Sequence, residues 1–370
     1  MHVIVLENEP SSRRGGQELS LIDICKGLHQ RGHKVSLLYT KPGDLLEQYQ
    51  SFCTHIDFVD GYKLTLQNPA QFFTGLREVG QSIKAEPESL VYSNQYQESF
   101  FGYGLASLKR IPLVCHLRLP PPSTLGIQSR LGLHGAKRLI AISRCTRTDW
   151  IAAGFANDKI KLVYNGIDLG KFQPQASKLA DSKVIAYVGR LDKVKGLETL
   201  LKAIALLKSE ANSEKLHLRL LIAGKPLIQN AHYQDFLHQL THQLNITANV
   251  EFLGHVADPA EVYRSSHLVV LPSLWAEPFG RSLLEAMACG VPVVASRVGG
   301  IPEVLSGEFA QGLFCPGDAE DLAAKLRYVL DWQAQDPSLG QRCRDYVSDR
   351  FPLSQAVEGV ERVMLEALSQ

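Results

Sequence analysis

Glu277-Pro278-Phe279-Gly280-Arg281-Ser282-Leu283-Leu284-Glu285-Ala286-Met287-Ala288-Cys289-Gly290-Val291-Pro292 stands between two short apolar runs, Leu268–Leu271 and Pro292–Ser296. The first run reads as a strand that stops at Pro272, the second as the next strand. Between them a loop carries the carboxylate of Glu277, and Gly280 lets the backbone approach a ligand closely. A helix then opens near Arg281, with Glu285 about one turn inside. Unpaired N–H groups at a helix start, helped by the helix dipole, bind phosphate. Carboxylates would repel that phosphate unless they accept hydrogen bonds from sugar hydroxyls. Amides for phosphate and carboxylates for ribose and hexose suit a nucleotide-sugar; an ordinary loop with acidic surface residues is the alternative.

Working outward, the same strand–loop–helix order recurs in both directions. Toward the N-terminus, Val3–Leu6 is followed by a Gly/Ser/Arg loop, a helix marked by Leu19, Ile22, Cys25 and Leu28, and the strand Val35–Tyr39. His55–Val59, Leu90–Ser93, Pro112–Leu117, Leu139–Ile142 and Lys161–Tyr164 are further strands, several apolar on both faces as in a buried parallel sheet. The pattern restarts at Val184–Val188, continues through the helix Leu197–Lys208, and adds Leu218–Ala223 and Val250–Leu253. The reading is α/β, two doubly wound Rossmann-like domains facing across a cleft. Their division is set at 172/173, in the polar joint Asp168–Asp181 with Pro174, Gln175, Ser177 and Lys178. The domains are 1–172 and 173–351, with a last helix in 352–370 expected to pack back on the first.

Composition narrows the class. The chain has 370 residues, 45% hydrophobic and 21% charged, with 39 basic against 38 acidic side chains, so no global charge steers it to nucleic acid. Its seven cysteines are scattered singly with no CxxC pair, which fits a reducing compartment better than a disulfide framework or a zinc site. The N-terminus lacks a signal-peptide pattern, and no apolar stretch reaches the roughly 20 residues of a membrane span. A cytoplasmic location is expected. Leu125–Lys137 mixes Leu125, Ile127, Leu131 and Leu133 with Arg130 and Lys137. Gly126, Gly132 and Gly135 favour a cleft-lining loop there over an amphipathic helix in weak peripheral contact with a membrane.

The segment 277–292 resembles the signature of retaining family 4 glycosyltransferases, of GT-B fold. Other motifs follow in order: Gly15-Gly16, Arg31-Gly32-His33-Lys34-Val35, Tyr164-Asn165-Gly166-Ile167-Asp168, Gly189-Arg190-Leu191 with Lys195-Gly196, Ile222-Ala223-Gly224, Phe252–Val256, and Gly299-Gly300-Ile301-Pro302-Glu303. The resemblance implies that Arg190 and Lys195 hold the donor diphosphate, where fixed cations stabilise leaving-group charge. It further implies that Glu285 binds ribose, Glu277 a hexose hydroxyl, backbone around Phe279, Gly280 and Arg281 the sugar and phosphate, Gly16 the diphosphate, and Val256 the base. His116 would lie beside the transferred sugar. Many relatives follow this histidine with Asp, whereas Leu117 and Arg118 follow here.

The expected activity is a retaining, metal-independent hexosyltransferase, with no cofactor and a nucleotide-sugar donor guessed to be a UDP-sugar. The acceptor is unidentified; Arg13, Arg14, Arg118 and Arg144, with His116, suggest an anionic one such as a sugar phosphate, saccharide or lipid-linked phosphate. Oligomeric state is left open. Rival readings are a nucleotide-sugar epimerase of the same fold, a phosphorylase whose cofactor-lysine motif is lacking, and a non-catalytic nucleotide-sugar-binding module. A dinucleotide oxidoreductase is disfavoured because no GxGxxG follows the first strand.

Overall fold

The structure, a computed structural model, describes residues 1–67, 69–84, 86–175, 182–210, 217–227 and 230–369. It divides into two compact units, Met1–Gly166 with Leu353–Gln370, and Ile167–Pro352. The boundary falls ahead of 172/173. Ile167 donates its N–H to the Phe351 carbonyl at 2.9 Å, and the Arg344 guanidinium donates to the carbonyls of Leu169 and Phe172. These bonds place 167–172 in the second unit. Within the expected polar joint, Ser177, Lys178 and Asp181 lie outside the described residues.

Among the described residues the strands are β1 His2–Glu7, β2 Lys34–Tyr39, β3 His55–Phe58, β4 Ser89–Ser93, β5 Leu113–Leu117, β6 Arg138–Ala141, β7 Ile160–Leu162, β8 Lys183–Val188, β9 Leu218–Ala223, β10 Val250–Gly254, β11 Leu268–Leu271, β12 Val293–Ser296 and β13 Leu313–Phe314. The helices are α1 Gly16–Gln30, α2 Leu46–Gln50, α3 Pro69–Ser82, α4 Ser99–Lys109, α5 Ile127–Gly135, α6 Arg144–Ala152, α7 Leu197–Glu210, α8 His232–Gln243, α9 Pro259–Arg264, α10 Arg281–Ala288, α11 Ile301–Val304, α12 Ala319–Leu330, α13 Trp332–Gln335, α14 Leu339–Arg350 and α15 Leu353–Leu368.

The first unit's sheet runs β3-β2-β1-β4-β5-β6-β7 and the second's β10-β9-β8-β11-β12-β13, parallel throughout. In each, strand order reverses between two central strands, β1/β4 and β8/β11, the place where open parallel sheets open a crevice beyond their carboxyl ends. Strand β1 explains the apolar run Val3–Leu6. Ile4 and Leu6 pack with Phe101, Leu105 and Leu113 on one face, and Val3 and Val5 with Leu21, Ile22 and Val360 on the other. Burial of each such side chain contributes about 1.5–3 kcal/mol. Helix α15 puts Val357, Val360 and Met364 into that second cluster, and Arg31 and His33 hold its Glu361 at 2.7 and 2.5 Å.

One local expectation is overturned. The stretch 125–137 is not a loop: Ile127–Gly135 forms helix α5. A Cβ on Gly132 would sit 2.3 Å from the Ser99 backbone, and one on Gly135 would sit 2.3 Å from the Tyr103 ring. The glycines stand where α4 presses closest, so they are packing positions and not breaks. No helix among the described residues is long and apolar enough to cross a membrane.

Candidate active site

In the second unit, the loops after β8 and β11 meet at the switch point. Lys195, in the 3-10 turn Lys193–Lys195, donates to Glu277 Oε2 at 2.6 Å. Ser273 Oγ and Trp275 Nε1 donate to the same oxygen, each at 3.0 Å, and the Lys195 ammonium lies 5.4 Å from the centre of the Trp275 ring. Both members of the pair are 14% exposed. Asp192 accepts from the Val194 N–H and lies 3.6 Å from the Arg190 guanidinium, while the Tyr187 hydroxyl donates to the Arg190 carbonyl at 2.7 Å. Two cations, Arg190 and Lys195, and two carboxylates, Asp192 and Glu277, are thus fixed in neighbouring loops. The Gly299 stretch holds this loop from behind. Gly300 donates to the Glu277 carbonyl at 2.8 Å, and a Cβ on Gly299 (φ +55°) would sit 2.3 Å from that oxygen.

Helix α10 begins after Gly280, whose φ of 83° suits glycine. Arg281 Nε donates to Glu285 Oε1 and the Tyr263 hydroxyl to Oε2, both at 2.7 Å. Glu285 is nearly buried, and each oxygen keeps a further lone pair for an incoming hydroxyl. The Phe279 side chain is buried, which leaves its backbone as the group a ligand could use. Val256 lies beyond β10 on the same carboxyl edge, two strands from β8.

In the first unit His116 ends near the tip of β5, 2% exposed. Tyr92 on the neighbouring β4 places its hydroxyl 2.5 Å from His116 Nδ1. Burial, with Arg118 close by, holds the imidazole well below its ordinary pKa, and burial pushes the Tyr92 phenol up. Where the protonated phenol donates to Nδ1, the neutral ring carries its one hydrogen on Nε2. Nε2 has no hydrogen-bond partner among the described residues.

The arginines expected to open toward an acceptor divide. Arg118 is buried, not solvent-facing: its Nε donates to Asn94 Oδ1, and its Nη1 to Asn165 Oδ1 at 3.2 Å. Arg14 lies 2.9 Å from a Glu9 oxygen and 3.5 Å from a Glu18 oxygen. Arg13 and Arg144 are exposed, Arg144 at the start of α6, and Gly16 opens α1. Around Arg118 gathers a carboxyl cluster that sequence reading missed. Glu7 accepts from the Asn94 amide at 2.7 Å, and Glu98 accepts from the N–H groups of Asn8 and Gln95, both at 3.1 Å. Burial first of all raises the pKa of Glu7, Glu18 and Glu98; Glu18 adds to the rise at Glu7, and Glu7 to that at Glu98. The available signal was Glu7 itself, a charged residue ending a strand otherwise buried on both faces.

With these positions established, the chain can be compared with known proteins. Residues 171–347 match the family described as Glycosyl transferases group 1, and residues 14–171 match Glycosyltransferase Family 4. A D-inositol 3-phosphate glycosyltransferase of Corynebacterium aurimucosum is 30% identical over 408 aligned residues, covering 100% of this chain and 95% of that protein. The chain belongs to the family 4 glycosyltransferases. An N-acetyl-alpha-D-glucosaminyl L-malate synthase of Bacillus anthracis is 25% identical over 371 residues, 96% of this chain and 94% of its own. Anabaena HepE, solved in complex with UDP-glucose, aligns with a TM-score of 0.83 at 24% identity over 99% of this chain and 100% of its own. The architecture of this glycosyltransferase is accordingly GT-B.

In this glycosyltransferase Arg190, Lys195 and Glu277 come together in the second unit, as do Gly280, Arg281 and Glu285 at the start of α10. His116 and Arg118 share one buried network in the first unit. Arg13 lies before α1 and Arg144 at the start of α6.

Proposed function

We propose that this glycosyltransferase moves a hexosyl group from a UDP-sugar to an anionic acceptor, with retention of configuration and without a metal ion. The carrying observation is the Lys195–Glu277 pair beside Arg190, with Glu285 clamped one turn into α10. Cations, helix-start amides and two oriented carboxylates in one crevice match the phosphates and hydroxyls of a nucleotide-sugar. Arg190 and Lys195 would stabilise the charge that grows on the departing diphosphate, Glu285 would take the ribose and Glu277 a hexose hydroxyl. Backbone at Phe279, Gly280, Arg281, Gly16 and Val256 would complete the donor contacts. UDP is supported by the ligand named for Anabaena HepE.

In the proposed step the bond from the anomeric carbon to the diphosphate oxygen breaks as the acceptor oxygen adds on the same face. The acceptor's hydroxyl proton passes to the leaving phosphate oxygen. His116, with a hydrogen on Nε2, would donate to the reacting sugar. Inositol phosphate and malate, in the names of two relatives, support an anionic acceptor. Arg13 and Arg144 would meet it, while Arg14, held by Glu9 and Glu18, and Arg118, held by Asn94 and Asn165, would support the site from behind. Seven unpaired cysteines, four of them buried, support a reducing, cytoplasmic setting.

A thermal-shift screen against UDP-, GDP- and ADP-sugars in EDTA tests the reading. A ligand at 100 times its Kd adds about 2.7 kcal/mol. A rise with UDP-sugars in EDTA that is lost in Glu285→Ala is the expected result. No rise with any nucleotide-sugar, or a rise that Glu285→Ala leaves intact, overturns the assignment.

A further inference from the structure

Helices α3, α4 and α5 form the outer layer on one side of the first unit's sheet and carry an unusual concentration of exposed apolar side chains. Ile127 and Leu131, one turn apart on α5, are 73% and 51% exposed; Phe73 on α3 is 59% exposed, and Leu66, just before α3, is fully exposed. Tyr103 and Leu108 on α4 are exposed behind them.

These side chains belong to one continuous surface. The Gln128 amide donates to the Leu64 carbonyl at 2.6 Å and accepts from the Leu64 N–H at 3.1 Å, which ties the Leu66 segment to the first turn of α5. The Phe73 ring packs against Phe72, which stacks on Phe100 of α4, and Phe100 lies under Gly132 of α5. In a parallel sheet the helix following each strand starts at the strand's carboxyl end. Leu66, Phe73 and Ile127 therefore rim the same end of the sheet that holds His116.

The charge of this layer departs from the even balance of the chain. Segment 60–67, α3, α4 with Arg110, and α5 together hold Lys63, Arg77, Lys109, Arg110 and Arg130 against Asp60 and Glu78. Among the described residues none of those five cations is in an ion pair, and Asp60 is engaged by the Gln71 amide. Apolar side chains at a tip with cations around them fit the headgroup boundary of an anionic bilayer. A second copy of the chain fits less well, since a twofold contact would bring like charges together.

We propose that this face docks the protein on an anionic lipid surface, with Leu66, Phe73, Ile127 and Leu131 entering the headgroup boundary and Arg130 and Lys63 meeting lipid phosphates. The inference stands independently of the donor chemistry. It places the carboxyl rim of the first sheet against the bilayer, so that an acceptor carried on a lipid headgroup would be presented there.

The test is co-sedimentation of the full chain with vesicles of phosphatidylcholine alone or mixed with phosphatidylglycerol, at low and at physiological salt. Binding to the mixed vesicles, weakened by salt and lost with phosphatidylcholine alone, is expected. Arg130→Gln should weaken partitioning about fivefold, the factor for one basic side chain at such a surface, and Ile127→Ser/Leu131→Ser should lower it at least about tenfold, given the apolar area withdrawn. Leu66→Ser, outside any helix, gives the same readout if the double variant fails to fold, as judged by circular dichroism. No sedimentation of the wild type at low salt overturns the proposal, as does binding unchanged in a folded double variant. Loss of self-association by light scattering without any vesicle binding assigns the face to a second copy and overturns it too.

Discussion

Lys195→Ala removes the cation 2.6 Å from Glu277 Oε2 and leaves a carboxylate that is only 14% exposed. At that separation and an effective dielectric of about 20, the gross attraction is roughly 6 kcal/mol. Desolvation of both groups offsets much of it, and Ser273 and Trp275 go on donating to the same oxygen. A net loss of about 2–3 kcal/mol follows, at the low end for breaking a buried pair because this one is not fully enclosed. For a unit of this size the melting temperature should fall about 5–10 °C. A cycle with Glu277→Ala and the double variant should give a coupling of about 1–3 kcal/mol. Calorimetric titration with UDP-sugar should show Kd raised ~10–100-fold in Lys195→Ala, through loss of the charge-assisted contact to phosphate. A melting temperature within about a degree of wild type, with coupling below ~0.3 kcal/mol, would refute the reasoning, since the contact would then be a solvated surface pair.

Tyr92→Phe deprives His116 Nδ1 of its donor and should cost about 1–3 kcal/mol for an unpaired buried nitrogen; nitrogen NMR should then report mixed tautomers, and an unchanged Nε2–H signal would contradict the assignment. Burial raises Glu18 to about 7, so the folded protein holds a proton that the unfolded chain releases near the ordinary glutamate value of 4.5. Stability from this group is full at low pH and declines as pH rises through that window, by at most about 3 kcal/mol. Glu18→Gln should flatten the fall in melting temperature between those values, and an unaltered slope would count against a raised pKa. Gly299→Ala meets the Glu277 carbonyl and a left-handed backbone costing about 1–2 kcal/mol; it should weaken UDP-sugar binding about tenfold or more by the contact geometry, and wild-type affinity in titration would show that this clamp does not position Glu277.

The loops that carry Lys195 and Glu277 were legible because their signals are local. Lys195 and Glu277 are far apart in the chain, yet each ends a strand–loop unit whose apolar run and glycine mark it, and parallel sheet topology sends both loops to one edge. The first unit resisted for the opposite reason. Arg118 reads as an open arginine beside a strand end, but Asn94 and Asn165 draw it inward. Glycines 132 and 135 argue against a helix until α4 is seen pressing on them.

What the sequence by itself determined is the alternation of parallel strands and helices in two units and the residue types in the loops around Lys195, Glu277 and Glu285, since periodicity, turn glycines and helix starts depend on near neighbours. Tertiary structure alone decided which charges are buried and which are exposed. Glu7, Glu18, Glu98 and Arg118 meet because β1, β4 and β5 lie side by side, and their desolvation depends on that adjacency and not on any spacing along the chain.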